Sequence, residues 1–208
     1  MFCPLCNHST VAFFTTKSHQ YYSCDYCKGI FMSDDDLPIL ADEKNRYLEH
    51  NNDINDVRYQ QFVMPIVQQV VDHYTPEHRG LDFGAGTGPV ISKLLTDRSY
   101  QIVQYDPFFH NYPELLLDKY DYIVACEVIE HFHQPNVEFV RLKEMLKPGG
   151  RLICMTTIYH PGIDFKTWYY KNDPTHVFFY HSDTLQFIQK SYGFSELQIF
   201  NNLIVLSV

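Results

Sequence analysis

Two pairs of cysteines stand near the N-terminus, Cys3 with Cys6 and Cys24 with Cys27, each spaced C-x2-C and with 17 residues between the pairs. Thiolates at that spacing form two knuckles that together can hold one zinc ion in a tetrahedron. Gly29 follows the second knuckle, where backbone amides turn toward sulfur. His8 and His19 are alternative ligands at poorer spacing. Cys126 and Cys154 sit inside apolar segments and read as small core hydrophobes. A second set of residues suits a nucleotide-like ligand. In Leu81-Asp82-Phe83-Gly84-Ala85-Gly86-Thr87-Gly88 three glycines alternate directly after a short strand. Glycine lets the backbone turn tightly and approach a ligand closely. The G-x-G-x-G spacing is not the dinucleotide G-x-G-x-x-G, and no Lys-Ser/Thr follows to make a phosphate-binding loop. Asp106 ends the next strand, 18 residues after Gly88, where a carboxylate can accept both hydroxyls of a ribose.

The elements that must position these residues are legible as an alternation. Leu81–Phe83, Tyr100–Tyr105, Tyr122–Ala125 and Arg151–Thr156 read as strands, the continuous apolar run at 122–125 being of the kind buried in parallel sheets. Pro89 opens one helix, Val137–Leu146 forms another closed by Lys147-Pro148-Gly149-Gly150, and Thr184–Tyr192 a third ended by Gly193. Helical spacing of Val63, Ile66, Val67, Val70, Val71 and Tyr74 predicts an amphipathic helix over 57–74, kinked or restarted at Pro65. Residues 195–200 and 203–208 predict a terminal hairpin turning at Asn201-Asn202. Residues 39–55 are polar and carry no assignment beyond a turn at Asn51-Asn52-Asp53. The division that follows is a small zinc-ribbon module over 1–33, a linker with N-terminal helices over 34–75, and a main domain over 76–208. The fold class is α/β: a doubly wound, Rossmann-like, mostly parallel sheet with a C-terminal antiparallel hairpin. Ligands on such sheets bind beyond the carboxyl ends of the strands, here after Phe83, Tyr105, Ala125 and Thr156.

Composition narrows the partners. The 208 residues are 45% hydrophobic, enough for a packed core, and acids outnumber bases 25 to 16 for a net charge of −9. Such a surface repels phosphate backbones. The ribbon repeats the pattern, with Lys17, Lys28 and Lys44 against five aspartates and Glu43 in residues 1–44. Nucleic acid is therefore a disfavoured partner. No apolar run reaches the roughly 18 residues that span a bilayer. The N-terminus MFCPLCNHST lacks the basic and apolar regions of a signal peptide, so a cytoplasmic location is expected.

With these residues in order, positions 45–208 resemble a class I S-adenosylmethionine-dependent methyltransferase. The landmarks are the 81–88 glycine loop, Asp106, Tyr120-Asp121-Tyr122-Ile123-Val124, Glu127-Val128-Ile129-Glu130-His131-Phe132 and Leu146-Lys147-Pro148-Gly149-Gly150. With the cysteine pairs before and Asp173-Pro174-Thr175-His176-Val177 behind, the whole chain resembles zinc-ribbon methyltransferases, several of which act on small molecules. The resemblance implies that Gly84, Ala85 and Gly86 approach the methionine part of the cofactor and that Asp82 orients its ammonium group. It implies that Asp106 holds the ribose, that Pro107, with Phe108 and Phe109, packs on the adenine, and that Glu127 lies beside the sulfonium. Only 14 residues separate Asp106 from Asp121, so the usual third strand and its loop are shortened or missing.

On the acceptor side, a nucleophile that carries a proton needs a base. His131, His133, His160 and His176 are candidates, with His176 oriented by Asp173. Glu127, Glu130 and His131 are spaced to share a helical face, either as capping groups or as the divalent-metal cluster seen in some related O-methyltransferases. The absence of an N-P-P-Y motif and of a Pro-Cys nucleophile argues against adenine or glutamine amino groups and cytosine C5 as acceptors. The aromatic segment 164–176 reads either as a lid or as a packed insertion anchored on Trp168. The expected function is methyl transfer to a small molecule with a structural zinc ribbon; the alternatives are an RNA or protein methyltransferase using the ribbon for recognition, and a cofactor-binding protein without turnover.

Overall fold

The computed structural model describes residues 1–49 and 52–208, so the turn expected at Asn51-Asn52-Asp53 falls partly outside the described residues. The order is β1 (Val11–Thr15), β2 (Gln20–Ser23), β3 (Ile30–Met32), α1 (Leu40–Glu49), α2 (Val57–His73), β4 (Arg79–Phe83), α3 (Val90–Thr96), β5 (Gln101–Tyr105), β6 (Tyr120–Cys126), α4 (Pro135–Glu144), β7 (Leu146–Met155), β8 (Phe178–Phe179), α5 (Ser182–Ser191), β9 (Glu196–Phe200) and β10 (Leu203–Ser207). The main sheet runs β5-β4-β6-β7-β10-β9. Its first four strands are parallel, and β10 enters antiparallel between β7 and β9 as the terminal hairpin. β5 is the edge: no strand lies between Tyr105 and Tyr120, which hold a bridge between Asp106 and His110 and a 3-10 turn over Pro113–Leu117.

Alternation along the strands splits the core into two layers. Tyr122, Val124, Ile153, Met155, Leu203 and Val205 face α2 and α3, where Val63, Ile66, Val67 and Val70 are fully buried. Ile123, Ala125, Leu152, Cys154, Ile204 and Leu206 face α4 and α5. Period 2 in the strands meets period 3.6 in the helices, and each fully buried aliphatic side chain contributes roughly 1.5–3 kcal/mol. Pro65 lies inside the continuous helix α2 on its exposed side. Two local readings change. Leu146–Gly150, expected to close a helix, belong to β7, because Tyr120 pairs with Leu146 before an irregularity restores the register at Tyr122 with Arg151. The polar stretch from 39 forms α1.

The N-terminal strands make a second sheet, β1-β2-β3-β8, whose fourth strand comes from the far end of the chain. Ile30 pairs with Phe179 and Phe31 with Phe178. Phe165, Trp168, Tyr170 and Val177 pack there on Tyr21, Ile30 and Met32. Segment 164–176 is thus anchored through Trp168 as a packed insertion, while its later residues reach the cavity described next. Among the described residues no helix is long and apolar enough to cross a membrane.

Candidate active site

The strand β4 delivers the glycine loop to the carboxyl edge of the sheet. Gly84 and Gly86 have φ of 76° and 63°, a region that costs an L-residue roughly 1–2 kcal/mol. A Cβ on Gly84 would lie 2.5 Å from Val128 Cγ2. The loop is pinned to β5: Gly84 N and Ala85 N both donate to the Tyr105 carbonyl, at 2.8 and 3.1 Å. Asp106 completes the clamp. Its Oδ2 accepts from Gly86 N at 3.0 Å, and its Oδ1 accepts from Phe108 N and Phe109 N at 2.8 and 3.1 Å. Beneath the loop, Asp82 is buried and accepts from Ser92 Oγ at 2.7 Å. Burial pushes its carboxyl up to about 6. A cavity of about 1010 Å³ opens above these groups, and Gly84, Ala85, Gly86, Asp106 and Pro107 line it.

The other half of the cavity is built from the end of β6 and the segment before β8. Glu127 has φ 52° and is fixed by its N–H to the Met155 carbonyl at 2.8 Å. A 3-10 turn over Ile129–His131 follows, so the helical face expected for Glu127, Glu130 and His131 does not form: the left-handed backbone at Glu127 breaks it. What joins the carboxylates is Tyr170, which the sequence offers only as one residue of the 164–176 lid or packed insertion. Its hydroxyl meets Glu127 Oε2 at 3.0 Å, Glu130 Oε1, and Thr156 Oγ1 at 2.9 Å. Burial raises the Glu127 carboxyl, and burial with the charge of Glu127 raises that of Glu130 well above the ordinary range. The same surroundings push the Tyr170 phenol up.

Two of the four candidate histidines come together. His131 Nδ1 donates to the Thr175 carbonyl at 2.7 Å, and His176 Nδ1 donates to the Tyr170 carbonyl at 2.8 Å. A carbonyl only accepts, so in each neutral ring the lone pair sits on Nε2. The rings meet edge to face with centroids 4.9 Å apart, and both line the cavity. The group that orients His176 through Nδ1 is therefore the Tyr170 carbonyl. The carboxylate of Asp173, expected in that role, accepts from Thr175 at Oδ1 and from Arg46 at Oδ2. His133 also lines the cavity, with its Nε2 3.0 Å from Glu43 Oε1, whereas His160 is exposed and outside the lining.

Helix α1 roofs this half with Leu40, Glu43, Arg46 and Tyr47. Sequence reading missed all four. The helix is short and polar, and the one signal was a 3.6-residue stripe through Glu43, Arg46 and Tyr47 in which charged residues face inward.

Outside the cavity lining, the four N-terminal cysteines converge. Cys3 Sγ lies 3.5 Å from Cys27 Sγ, and Cys6 Sγ lies 3.4 Å from Cys24 Sγ. All four sulfurs fall within 4.8 Å of one another. Zinc–thiolate bonds of about 2.3 Å need tetrahedral edges of about 3.8 Å, so the set fits. The two knuckles share one geometry: Asn7 N and Lys28 N donate to the Cys3 and Cys24 carbonyls, both at 2.8 Å, and both residues have positive φ. Contact with Cys27 lowers the Cys3 thiol to about 6, while burial lifts Cys6 to about 12. Four thiolates this close cannot all ionise without a cation among them.

A family profile described as a methyltransferase domain matches residues 40–199. The chain belongs to the family of S-adenosylmethionine-dependent methyltransferases. Solved structures of that class share the methyltransferase fold. One, from Archaeoglobus fulgidus, is 14% identical with a TM-score of 0.57, over 72% of this chain and 94% of its own. Human N-acetylserotonin methyltransferase, solved with S-adenosylmethionine, is 12% identical with a TM-score of 0.54, over 72% of this chain and 53% of its own. A phosphoethanolamine N-methyltransferase of Haemonchus contortus, solved with S-adenosylhomocysteine, is 15% identical with a TM-score of 0.54, over 75% of this chain and 42% of its own. No curated protein matches the sequence. The methyltransferase frame accounts for the position of the glycine loop, and the cavity beside that loop fits a cofactor of this size.

Proposed function

We propose that this methyltransferase moves a methyl group from S-adenosylmethionine to a small-molecule acceptor held beneath α1. The carrying observation is one continuous cavity. At one end lie the glycine loop and Asp106; at the other lie Glu127, His131 and His176. The bound cofactor supplies an already activated methyl on a sulfonium, so alignment and desolvation supply much of the rate. Gly84, Ala85 and Gly86 admit its methionine part closely, Asp82 lies under its ammonium group, Asp106 faces the ribose, and Pro107 with Phe108 flanks the base. Asp106 has lone pairs left for hydroxyl donors beyond the three amides it accepts. Glu127 stands at the junction of the two halves. His131 and His176 meet the acceptor and receive the proton it gives up. Tyr47 and Arg46 close the roof and exclude water.

The four cysteines hold one structural zinc. The ribbon's acidic residues favour a role in shaping the acceptor side over binding nucleic acid. Domain limits follow the same reading, with the ribbon over 1–33, connecting helices over 34–75 and the catalytic domain over 76–208. The test is calorimetry with S-adenosylmethionine and S-adenosylhomocysteine, followed by transfer of labelled methyl from the cofactor into a pool of small metabolites. Binding together with label in a low-molecular-weight product supports the proposal. Label found only in RNA or protein overturns the acceptor class, and lack of cofactor binding overturns the whole reading.

A further inference from the structure

We infer that the methyl acceptor is the nitrogen of a small organic amine, bound as its cation, and that Glu43 of α1 selects it. The inference rests on the proposed methyl transfer and names the substrate class taken by the same cavity. It starts from the charges around the cavity. Glu43, Asp106, Glu127, Glu138 and Asp173 line it, against the guanidiniums of Arg46 and Arg141. Both guanidiniums are matched. Arg141 Nη1 donates to the two oxygens of Glu138 at 2.9 and 2.8 Å, and Arg46 is held by Asp173 and Glu49. Asp106 is taken up by three backbone amides.

Glu43 and Glu127 remain, and among the described residues neither is ion-paired to a lysine or an arginine. Glu43 is buried, with His133 Nε2 3.0 Å from its Oε1, and Glu127 Oε2 accepts from the Tyr170 hydroxyl at 3.0 Å. Burial, together with the charge of Glu43, holds the Tyr47 phenol above its ordinary range. The acceptor half is therefore negative. A sulfonium at the junction of the two halves offsets Glu127, which leaves Glu43 for the acceptor. A second observation does not depend on charge. Phe108, Tyr47, His131, His176, Tyr170 and Tyr169 line the cavity as one series of rings, successive centroids being 5.6, 5.2, 4.9, 4.2 and 6.1 Å apart. Ring faces within about 6 Å attract an organic cation, and Tyr47 and Tyr170 are the phenols of that wall.

The same surroundings separate nitrogen from oxygen acceptors. An ammonium passes one proton to a histidine of the acceptor half, the freed lone pair bonds the methyl carbon, and the electron pair of the broken C–S bond returns to sulfur. The product is a methylated ammonium, so positive charge moves from sulfur to nitrogen in a field of fixed carboxylates that favours it. A hydroxyl acceptor would instead move toward an oxyanion, which nearby like charges disfavour. A carboxylate or phosphate on the acceptor meets the same repulsion and finds both guanidiniums already matched.

The experiment uses the intact protein saturated with S-adenosylhomocysteine at neutral pH. Benzylamine, benzyl alcohol and benzoate, which share one ring and differ in charge, are titrated by calorimetry. Benzylamine should bind about tenfold more tightly than benzyl alcohol, and benzoate more weakly than either. Glu43→Gln should weaken benzylamine by about tenfold and leave benzyl alcohol and S-adenosylhomocysteine unchanged. A second measurement, on the wild-type protein, guards against a misfolded variant. Labelled methyl moved from S-adenosylmethionine into a pool of small metabolites should be retained by a cation exchanger. Benzyl alcohol or benzoate binding as tightly as benzylamine, no binding of benzylamine, an amine affinity untouched by Glu43→Gln, or labelled product that passes the cation exchanger overturns the inference and leaves cofactor binding intact. Failure of S-adenosylhomocysteine to bind sinks the methyltransferase reading on which the inference rests.

Discussion

Arg46 and Asp173, 127 residues apart in sequence, close the roof of the cavity: Nε and Nη2 of the guanidinium both reach Asp173 Oδ2, at 3.0 and 2.8 Å. Nη1 of the same guanidinium is 3.0 Å from Glu49 Oε2 within α1. One side chain thus ties the helix to the segment that carries His176. The Asp173 side chain is 12% exposed and that of Arg46 35%, so solvent screens much of the ion pair. Arg46→Met should cost about 1 kcal/mol or less in global stability. Its local effect should be larger: faster amide exchange across α1 and a raised KM for the acceptor, with cofactor affinity within twofold of wild type. Unchanged exchange in α1 would show that the roof is held by other contacts.

The clamp around the glycine loop gives a sharper expectation. Asp106 accepts three backbone N–H bonds, one from Gly86 and two from the turn that begins at Phe108. Asp106→Ala strands these donors and removes the carboxylate that faces the ribose. Each lost charged hydrogen bond is worth about 1.5–3 kcal/mol. A drop of at least tenfold in S-adenosylhomocysteine affinity and a lower melting temperature are expected, read by calorimetry and thermal unfolding. Equal affinity in the variant would refute the role given to Asp106.

What could be read before folding was the chemistry that repeats at short range. The glycine loop, Asp106 at the end of the next strand and the paired cysteines each sit within a few residues of the element that fixes them. The missing third strand was legible from the short distance between Asp106 and Asp121. His131 and His176 were both nominated, yet nothing local said that their rings would meet. That depends on Val177 N donating to the Glu130 carbonyl at 2.9 Å, a contact across 47 positions. Tyr170 was hidden for the same reason: its partners Glu127, Glu130 and Thr156 come from two different strand ends. α1 was hidden because its inward face is charged, and hydrophobic periodicity is blind to a helix whose buried residue is Glu43.

Asp82 should set a pH dependence of stability in the absence of cofactor. Its carboxyl is raised from 3.8 to about 6 by burial. The folded state therefore holds this proton more tightly than the unfolded chain does. The stabilisation from the protonated form is fully present below pH 4 and is lost as pH rises through about 6. A shift of two units corresponds to about 3 kcal/mol as an upper bound. Asp82→Asn should accordingly be more stable than wild type by about 1–3 kcal/mol at pH 8, and the two should converge at pH 4. Parallel melting temperatures across that range would show that Asp82 is ionised at no cost.

Removal of zinc should disturb the acceptor side before the cofactor side. The path is a short chain of backbone contacts. Met32 N, on β3 of the ribbon, donates to the Val177 carbonyl at 2.9 Å, and Val177 N donates to the Glu130 carbonyl at 2.9 Å. β3 also pairs with β8 through Ile30 and Phe31, directly after His176 and Val177. The glycine loop, by contrast, is held by β5 and Asp106, with no contact to the ribbon in its hydrogen bonding. Cys24→Ser removes one thiolate of four and should release the ion, because a structural zinc site contributes its binding energy to folding. Elemental analysis of wild type should find one zinc per chain in the cysteine site, and the variant should lose it. The variant should keep S-adenosylhomocysteine binding within a few-fold of wild type while amides at 164–180 exchange faster. If the ribbon were an independent module, that segment would keep its protection after zinc is gone. If zinc were absent from the wild-type protein, with melting unchanged by Cys24→Ser, the four sulfurs would be a packed thiol cluster and the coupling to Glu130 would lose its cause.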